Sequence, residues 1–169
     1  MFDSEIDKEI GKFKVLQWKR ASECYGNPRV FDEDIHPNDI SQGELGDCYF
    51  LSVLSALAEF PENVKALIET KKVNSAGIYL LKFFVNGIPT PVIVDDHFPV
   101  KPNSTQICFA YSKDEELWVS LLEKGWAKLH GTYARVESGI PCFACSHLTG
   151  VPAESINHDE VEDKDKFWD

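Results

Sequence analysis

The longest apolar pattern in the chain begins at Cys48 and predicts a buried helix. Apolar side chains recur on nearly every side of a helix over residues 48–58, and the pattern ends by Phe60, before Pro61. A helix that is apolar all round must lie in a protein core. A second, shorter helix is expected from Glu62 to about Thr70.

Two segments rich in β-branched and aromatic residues predict a β-hairpin. They cover residues 77–85 and 88–94 and flank Asn86-Gly87, which is the strongest short-range turn signal for a hairpin. Pro89 and Pro91 lie in the second arm, so this arm is expected to be an edge strand or irregular.

A further helix is expected from about Glu115 to His130. The segment Ser112-Lys113-Asp114-Glu115 has the spacing of a capping box. Helical periodicity follows at Leu117, Trp118, Leu121, Leu122 and Trp126. Together these elements predict an α+β fold, mainly helical, in which the central helix packs with this helix and a small antiparallel hairpin.

The residues before the central helix lack a regular period. Residues 31–46 contain Pro37, Gly43 and Gly46 and predict a long structured loop, which in a compact domain is usually functional. The polar segment 1–12 is expected to be frayed or disordered. Trp18 and Val30 are expected to anchor residues 13–30 onto apolar surface.

Composition narrows the class of protein. The 169 residues are enough for one domain with a core, and the formal net charge of −11 argues against a nucleic-acid partner. The five cysteines are odd in number and scattered, which favours a reducing compartment over a disulfide framework. With an acidic N-terminus and no apolar run long enough to span a bilayer, the expected location is the cytoplasm.

The segment from Gln42 to Cys48 combines the groups that a thiol nucleophile needs. Cys48 opens the predicted helix, where the helix dipole and free N–H groups favour a thiolate. Asp47 is the expected N-cap, with a side chain that accepts hydrogen bonds from those N–H groups, although its charge works partly against the thiolate. The Gln42 amide and the Cys48 N–H could form an oxyanion hole. For Cys48 alone, a small buried apolar side chain remains the alternative.

The motif Gln42-Gly43-x-Leu45-Gly46-Asp47-Cys48 resembles the active-site segment of the calpain family of papain-like cysteine proteases. The resemblance covers about residues 17–150 and continues in Trp18-Lys19-Arg20, Asn27-Pro28, Val94-Asp95-Asp96 with Pro99, the segment from Glu116 to Lys128, and Gly131-Thr132-Tyr133. It implies a calcium-dependent endopeptidase, with Cys48 as nucleophile and Gln42 as oxyanion donor. It also implies a first catalytic subdomain over residues 13–145 and the beginning of a second over 146–169.

The same resemblance implies a calcium site in the first subdomain. The side chains of Asp39 and Glu116 match the family's carboxylate ligands, and backbone carbonyls near Asp32 and Asp34 match its loop ligands. Calcium takes six to eight oxygens of these two kinds. Asp34 occupies a position where the family often has glycine. From the residues alone, Asp39 could equally be a turn residue and Glu116 an acid that favours a helix start.

Two glycines are expected to contact the backbone of a peptide substrate. By the resemblance these are Gly46 and Gly139, although Ser138 replaces the glycine that precedes Gly139 in the family. Cys142-x-x-Cys145 with nearby His147 does not predict a zinc or redox site, because no second ligand pair and no strand-then-helix pattern accompany it.

The resemblance also shows what this sequence does not contain. None of its histidines lies in a segment like the family's Gly-His, and no Asn-Pro-Trp-Gly-like segment follows; the histidines are His36, His97, His130, His147 and His158. The chain is therefore expected to be a fragment that is inactive alone, with protein substrates, the other half of the protease core and further regulatory domains as partners. The alternatives are a non-catalytic calpain-like module that responds to calcium or binds proteins, and a papain-like hydrolase without calcium.

Overall fold

The computed structural model describes residues 16–32 and 34–157, so the segment expected to be frayed, 1–12, lies outside the described residues. Within them are five α-helices and three two-stranded antiparallel sheets. In chain order these are β1 (Gln17–Arg20), α1 (Ala21–Cys24), β2 (Ile40–Ser41), α2 (Cys48–Ala58), α3 (Pro61–Leu67), β3 (Ile78–Val85), β4 (Ile88–Asp95), β5 (His97–Val100), β6 (Tyr111–Ser112), α4 (Trp118–His130) and α5 (Pro141–Thr149). The α+β class predicted from the sequence is confirmed.

The predicted central helix is α2. It begins at Cys48, buries Phe50, Leu51, Leu54 and Ala58, and ends before Pro61, which opens α3 at a position where its missing N–H costs nothing. The second helix ends at Leu67, three residues earlier than expected. It ends there because Ile68 bridges to Leu81 and the Glu69 N–H donates to the Leu80 carbonyl, so this segment pairs with β3 instead of continuing the helix.

The predicted hairpin is formed by β3 and β4. Their register pairs Val85 with Ile88 across the turn, where Asn86 and Gly87 both take a positive φ, as the tight hairpin turn requires. β4 pairs with β3 alone among the described strands, so the expectation of an edge strand is confirmed.

The long helix α4 begins at Trp118 and not near Glu115. The predicted capping box is wrong, because the Ser112 hydroxyl donates to the Glu116 carboxylate, 3.0 Å away, and Glu115 takes a positive φ of 60°. The Glu115 carboxylate accepts the N–H groups of Gly26 and Asn27. These bonds to distant residues hold the segment in an irregular turn that local helix signals did not predict.

Several elements have no clear sequence signal. β1 pairs with β5, bringing residues 17–20 against residues 97–100. β2 pairs with β6, bringing the loop before the central helix against the segment before α4. The helix α5 begins at Pro141 and runs across the predicted subdomain boundary at residues 145/146, which stays a prediction.

The core lies where α2, α4 and the hairpin meet. Residues 118–127 of α4 are buried without interruption. The ring of Trp126 stacks on Phe50 of α2 with 5.0 Å between centroids and an interplanar angle of 13°, and it also contacts Phe83 of β3. Trp126 therefore fixes the central helix to the hairpin and to α4. Within the described ranges, we find no helix with the length and apolar character needed to cross a membrane.

Gly125 of α4 tests how tightly this core is packed. A β-carbon at this position would lie 2.8 Å from Phe83 Cε2 and would also collide with Leu81, and both side chains are fully buried. Gly125→Ala should therefore lower the free energy of unfolding by up to about 2 kcal/mol, because an overpacking cost of about 1–3 kcal/mol is offset by the roughly 1 kcal/mol that alanine adds to a helix. Chemical denaturation of Gly125→Ala measures this.

The matched control is Gly26→Ala, because the nearest atom to a β-carbon at this exposed glycine is 3.8 Å away. Its unfolding free energy should stay within about 0.5 kcal/mol of the parent. A stabilised Gly125→Ala variant would contradict the packing described.

Candidate active site

The thiol of Cys48 lies on the surface although the helix that it opens is buried. Cys48 is the first residue of α2 and is exposed, whereas Phe50 and Leu51 in the same turn are covered. The N–H groups of Phe50 and Leu51 both donate to the Asp47 carbonyl, so the first helical turn is closed immediately behind the thiol. The alternative of a buried apolar cysteine therefore does not hold for Cys48.

The prediction that the Asp47 side chain caps this helix is wrong. Asp47 occupies the N-cap position, but its side chain makes no capping hydrogen bond and is completely buried. It faces the carboxyl group of Glu123, which lies on α4. Burial, followed by the charge of Asp47, raises the pKa of Glu123 well above 4.5. The side chain turns inward to another acid and does not cap the helix.

The loop before Cys48 is fixed by backbone contact. A β-carbon on Gly43 would collide with the carbonyl oxygens of Cys108 and Phe109, so only glycine fits there. The next residue, Glu44, donates its N–H to the Cys108 carbonyl at 2.8 Å. The loop therefore lies flat on residues 108–109, and its course to Cys48 is set by main-chain atoms.

Gln42 is exposed at the start of the same loop. Its amide Nε2 donates to the Leu45 carbonyl at 3.3 Å, which closes the loop on itself and restrains the amide. Gln42 also lines a polar cleft of about 280 Å³. The other lining residues are Gly43, Glu44, Lys101, Ser104, Gln106, Ile107, Cys108 and Tyr111. A substrate carbonyl could accept from this amide in place of the Leu45 oxygen.

The two predicted substrate glycines lie on neighbouring segments. The N–H of Ser138 donates to the Gly46 carbonyl at 2.9 Å, which joins the segment that contains Gly139 to the loop before Cys48. A β-carbon on Gly139 would lie 2.5–2.9 Å from ring carbons of Tyr49. Ser138 itself takes a positive φ of 64°, a conformation that glycine adopts more easily. Gly46 and Gly139 are both exposed, as contact with a peptide requires.

The segments predicted to bind calcium are also brought together. The Glu116 carboxylate is buried and accepts three hydrogen bonds from neutral donors, the Asp32 N–H at 2.6 Å, the Ser112 hydroxyl and the Trp118 indole. Asp39 lies next to the strand pair that includes Ser112, and its side chain accepts the His36 N–H at 2.7 Å.

The remaining predicted ligands differ in their surroundings. Asp32 forms an ion pair with Arg29, and Asp34 is exposed. Within the described part of the chain, no three His, Cys, Asp or Glu side chains are grouped as a ready metal site.

The histidines and the other cysteines lie in their own local settings. The described histidines bond to near neighbours: His36 to Asn38, His97 to Asp95, His130 to the Trp126 carbonyl and His147 to the Phe143 carbonyl. Cys142 and Cys145 lie in α5, a helix that the sequence did not predict, and both are half-buried thiols. All five cysteines are free.

Sequence reasoning missed two residues that shape the site, Glu123 and Tyr49. Glu123 lies four residues after Val119 and four before Ala127, so it is an acid within the apolar stripe of α4, and that spacing could have identified it. Tyr49 accepts the Trp126 indole N–H at 3.0 Å and supports Gly139. No sequence signal distinguishes Tyr49 from an ordinary core aromatic residue.

An exposed thiol at the start of a buried helix, with a restrained amide in the loop that delivers it, is the arrangement expected of a cysteine hydrolase. A match to the calpain family cysteine protease model covers residues 3–169. The chain therefore belongs to the calpain family of cysteine proteases.

Individual relatives agree with this assignment. The chain is 39% identical over 149 residues to the calpain-type cysteine protease DEK1 of Arabidopsis thaliana, covering 85% of this chain and 7% of that protein. It is 36% identical over 158 residues to human calpain-14, covering 91% and 23%, and 34% identical over 155 residues to the bovine calpain-2 catalytic subunit, covering 87% and 22%. The chain thus spans less than a quarter of the length of each of these relatives.

The backbone contact at Gly43 makes a sharp prediction. Gly43→Ala should lower the free energy of unfolding by about 2 kcal/mol or more, because the carbonyls of residues 108 and 109 cannot move aside as a flexible side chain could. It should also change the rate at which iodoacetamide modifies Cys48, since the loop course is altered. Thermal melts and mass spectrometry of the modified cysteine measure both effects.

Gly46→Ala is the matched control in the same loop. A β-carbon at Gly46 would meet only side-chain atoms of Glu137 at 3.9 Å. This variant should melt within about 2 °C of the parent. Equal effects of the two substitutions would show that the loop is not held by its backbone.

Proposed function

We propose that this chain is the nucleophile-bearing part of a calcium-dependent cysteine endopeptidase. The observation that carries the proposal is the exposed Cys48 thiol at the start of the buried helix α2. Membership of the calpain family supports the reaction class, which is peptide hydrolysis through a thioacyl intermediate. Protein substrates, and further domains of a longer protein, are part of the same proposal.

In the proposed reaction, the sulfur of Cys48 attacks a peptide carbonyl. The electron pair of the C=O bond moves to oxygen, and the Gln42 amide with the Cys48 N–H would stabilise that oxyanion. Collapse breaks the C–N bond, a proton passes to the leaving amine, and water then hydrolyses the thioester. The exposed backbone at Gly46 and Gly139 would bind the extended peptide on either side of Tyr49.

Proton transfer in this reaction needs a base. The described histidines form hydrogen bonds with residues other than Cys48. We therefore propose that a histidine and its orienting asparagine are supplied by another part of the protease core, and that this chain alone gives no turnover. The five free thiols support a reducing location, which we propose is the cytoplasm.

The residues at Glu116 provide oxygen atoms of the kinds that bind calcium. The Glu116 carboxylate and the acidic loop next to it carry the hard oxygen ligands that calcium prefers, and the N–H and O–H groups that now donate to Glu116 would give way to the ion. Glu116 and Asp39 would supply carboxylate oxygens, and the segment from Asp32 to Asp34 would supply carbonyls after a local change in the loop. Bound there, calcium would add positive charge and join three segments of the subdomain.

The activated thiol can be tested on this chain alone. At pH 7.5, Cys48 should react with iodoacetamide before the other four cysteines and about ten-fold faster than glutathione, because it is exposed at a helix N-terminus. Burial raises the pKa of Cys24 to about 11 and also raises the pKa of Cys108, so both should react slowly. Mass spectrometry of each cysteine-containing peptide against time measures the rates.

Cys48→Ser is the control and should remove the fast reaction while leaving the slow ones. If Cys48 reacted no faster than glutathione, the nucleophile assignment would fail. The non-catalytic calpain-like module would then be the better interpretation.

Calcium binding gives an independent test. Isothermal titration should show calcium binding to the parent chain, and Glu116→Gln should weaken it about ten-fold or more because one ligand charge is lost. Asp114→Asn, two residues earlier on an exposed side chain, is the matched control and should bind as the parent does. Absence of binding by the parent, or equal binding by Glu116→Gln, would contradict the calcium assignment.

A further inference from the structure

The two acids beneath the nucleophile are the most unusual feature of the core. Asp47 is completely buried and Glu123 is 2% exposed, and their carboxyl groups face each other. If both were ionised, neither Asp47 oxygen would have a hydrogen-bond partner among the described residues. If one proton lies between them, an Asp47 oxygen gains a hydrogen bond with Glu123. The second state avoids two adjacent buried charges.

Glu123 is itself held in place. Both of its carboxyl oxygens lie near the Ala110 N–H, at 2.9 and 3.1 Å. The Ser120 hydroxyl donates to the Ala110 carbonyl. Both the N–H and the carbonyl of Ala110, in the segment before β6, are therefore bonded to side chains of α4. Glu123 therefore connects α4, residue 110 and the residue immediately before Cys48.

The groups around the pair favour the protonated form. Burial raises the pKa of Asp47 to about 7, and the charge of Glu137 adds to this, while the hydrogen bond with Glu123 acts in the opposite direction. From the neighbouring segments, the phenols of Tyr49 and Tyr133 also face the pair. Lys124, which follows Glu123 on α4, donates to Asp95 at 2.7 Å and to the His97 carbonyl.

We propose that Glu123 is a positioning residue for the nucleophile, and that one proton shared by Glu123 and Asp47 fixes the turn that delivers Cys48. The Asp47 carbonyl accepts the N–H groups of Phe50 and Leu51, so anchoring the Asp47 side chain also fixes the first turn of the helix and, with it, the direction of the Cys48 N–H and Sγ. The shared proton also leaves one negative charge below the thiol where two would oppose a thiolate. This inference rests on the proposed role of Cys48.

The sign of the pH dependence follows from the raised pKa. The folded state keeps a proton that the unfolded chain releases above the ordinary aspartate pKa of 3.8. The stabilisation from the shared proton is therefore complete below that value and is lost as the pH rises through the raised pKa of the pair. Glu123→Gln replaces the shared proton with an amide N–H, which remains at every pH.

The test compares Glu123→Gln, Asp47→Asn and Glu123→Ala with the parent chain, in calcium-free buffer from pH 5 to pH 8. The melting temperature of the parent should fall relative to both amide variants as the pH rises. The infrared band of a protonated carboxylic acid should be present in the parent at pH 6 and absent from Glu123→Gln. Iodoacetamide modification of Cys48 should slow about ten-fold in Glu123→Ala and recover in Glu123→Gln.

Glu62→Gln, an exposed acid on α3, is the control and should follow the parent at every pH. The proposal would be overturned if the melting temperatures of the parent and the amide variants differed by the same amount at every pH. It would also be overturned if iodoacetamide modified Cys48 as slowly in Glu123→Gln as in Glu123→Ala. If Glu123→Ala does not fold, Asp47→Asn and the infrared band still decide. Ordinary thiol reactivity in the parent would overturn the proposed function alone, because the melting and infrared results do not depend on it.

Discussion

Glu123 and Gly43 hold the loop before Cys48 against the segment that precedes α4. Glu123 bonds to the Ala110 N–H from the helix side, and Gly43 lies flat on the carbonyls of residues 108 and 109 from the other side. The first contact holds a buried acid opposite another buried carboxyl, and the second leaves no room for a side chain. Cys48 is therefore exposed on a surface whose supporting atoms are almost all buried or main-chain atoms.

Trp126 connects that support to the rest of the core. Its ring stacks on Phe50, and its indole N–H donates to the hydroxyl of Tyr49, so two residues that directly follow Cys48 are fixed by one side chain of α4. Tyr49 in turn lies under Gly139. The helix α2, Gly139 and α4 thus form one packed unit, which explains how a helix so apolar can present an exposed thiol at its end.

The sequence predicted the parts of the fold that depend on local pattern. The central helix and the hairpin at Asn86-Gly87 have period and turn residues that act within a few positions, and both were placed within about two residues. The start of α4 was misplaced because the acids at 115 and 116 bond to residues near 26 and 32, far away in the chain. The same reason explains the Asp47 error: its inward turn depends on Glu123, which no local rule relates to it. Cys48 and Gln42 could be proposed as site residues because their motif is contiguous, and their roles stay a prediction.

The support for Cys48 comes from residues far along the chain, and this has a consequence for how the protein acquires its structure. The bond between Tyr49 and Trp126 joins residues 77 positions apart, and the bond between Asp32 and Glu116 joins residues 84 apart. Contacts of such sequence separation form late, after the entropy of closing long loops has been overcome. During synthesis, the Cys48 thiol therefore emerges from the ribosome well before the residues that support it. The packing around Cys48 can form only once α4 has been made.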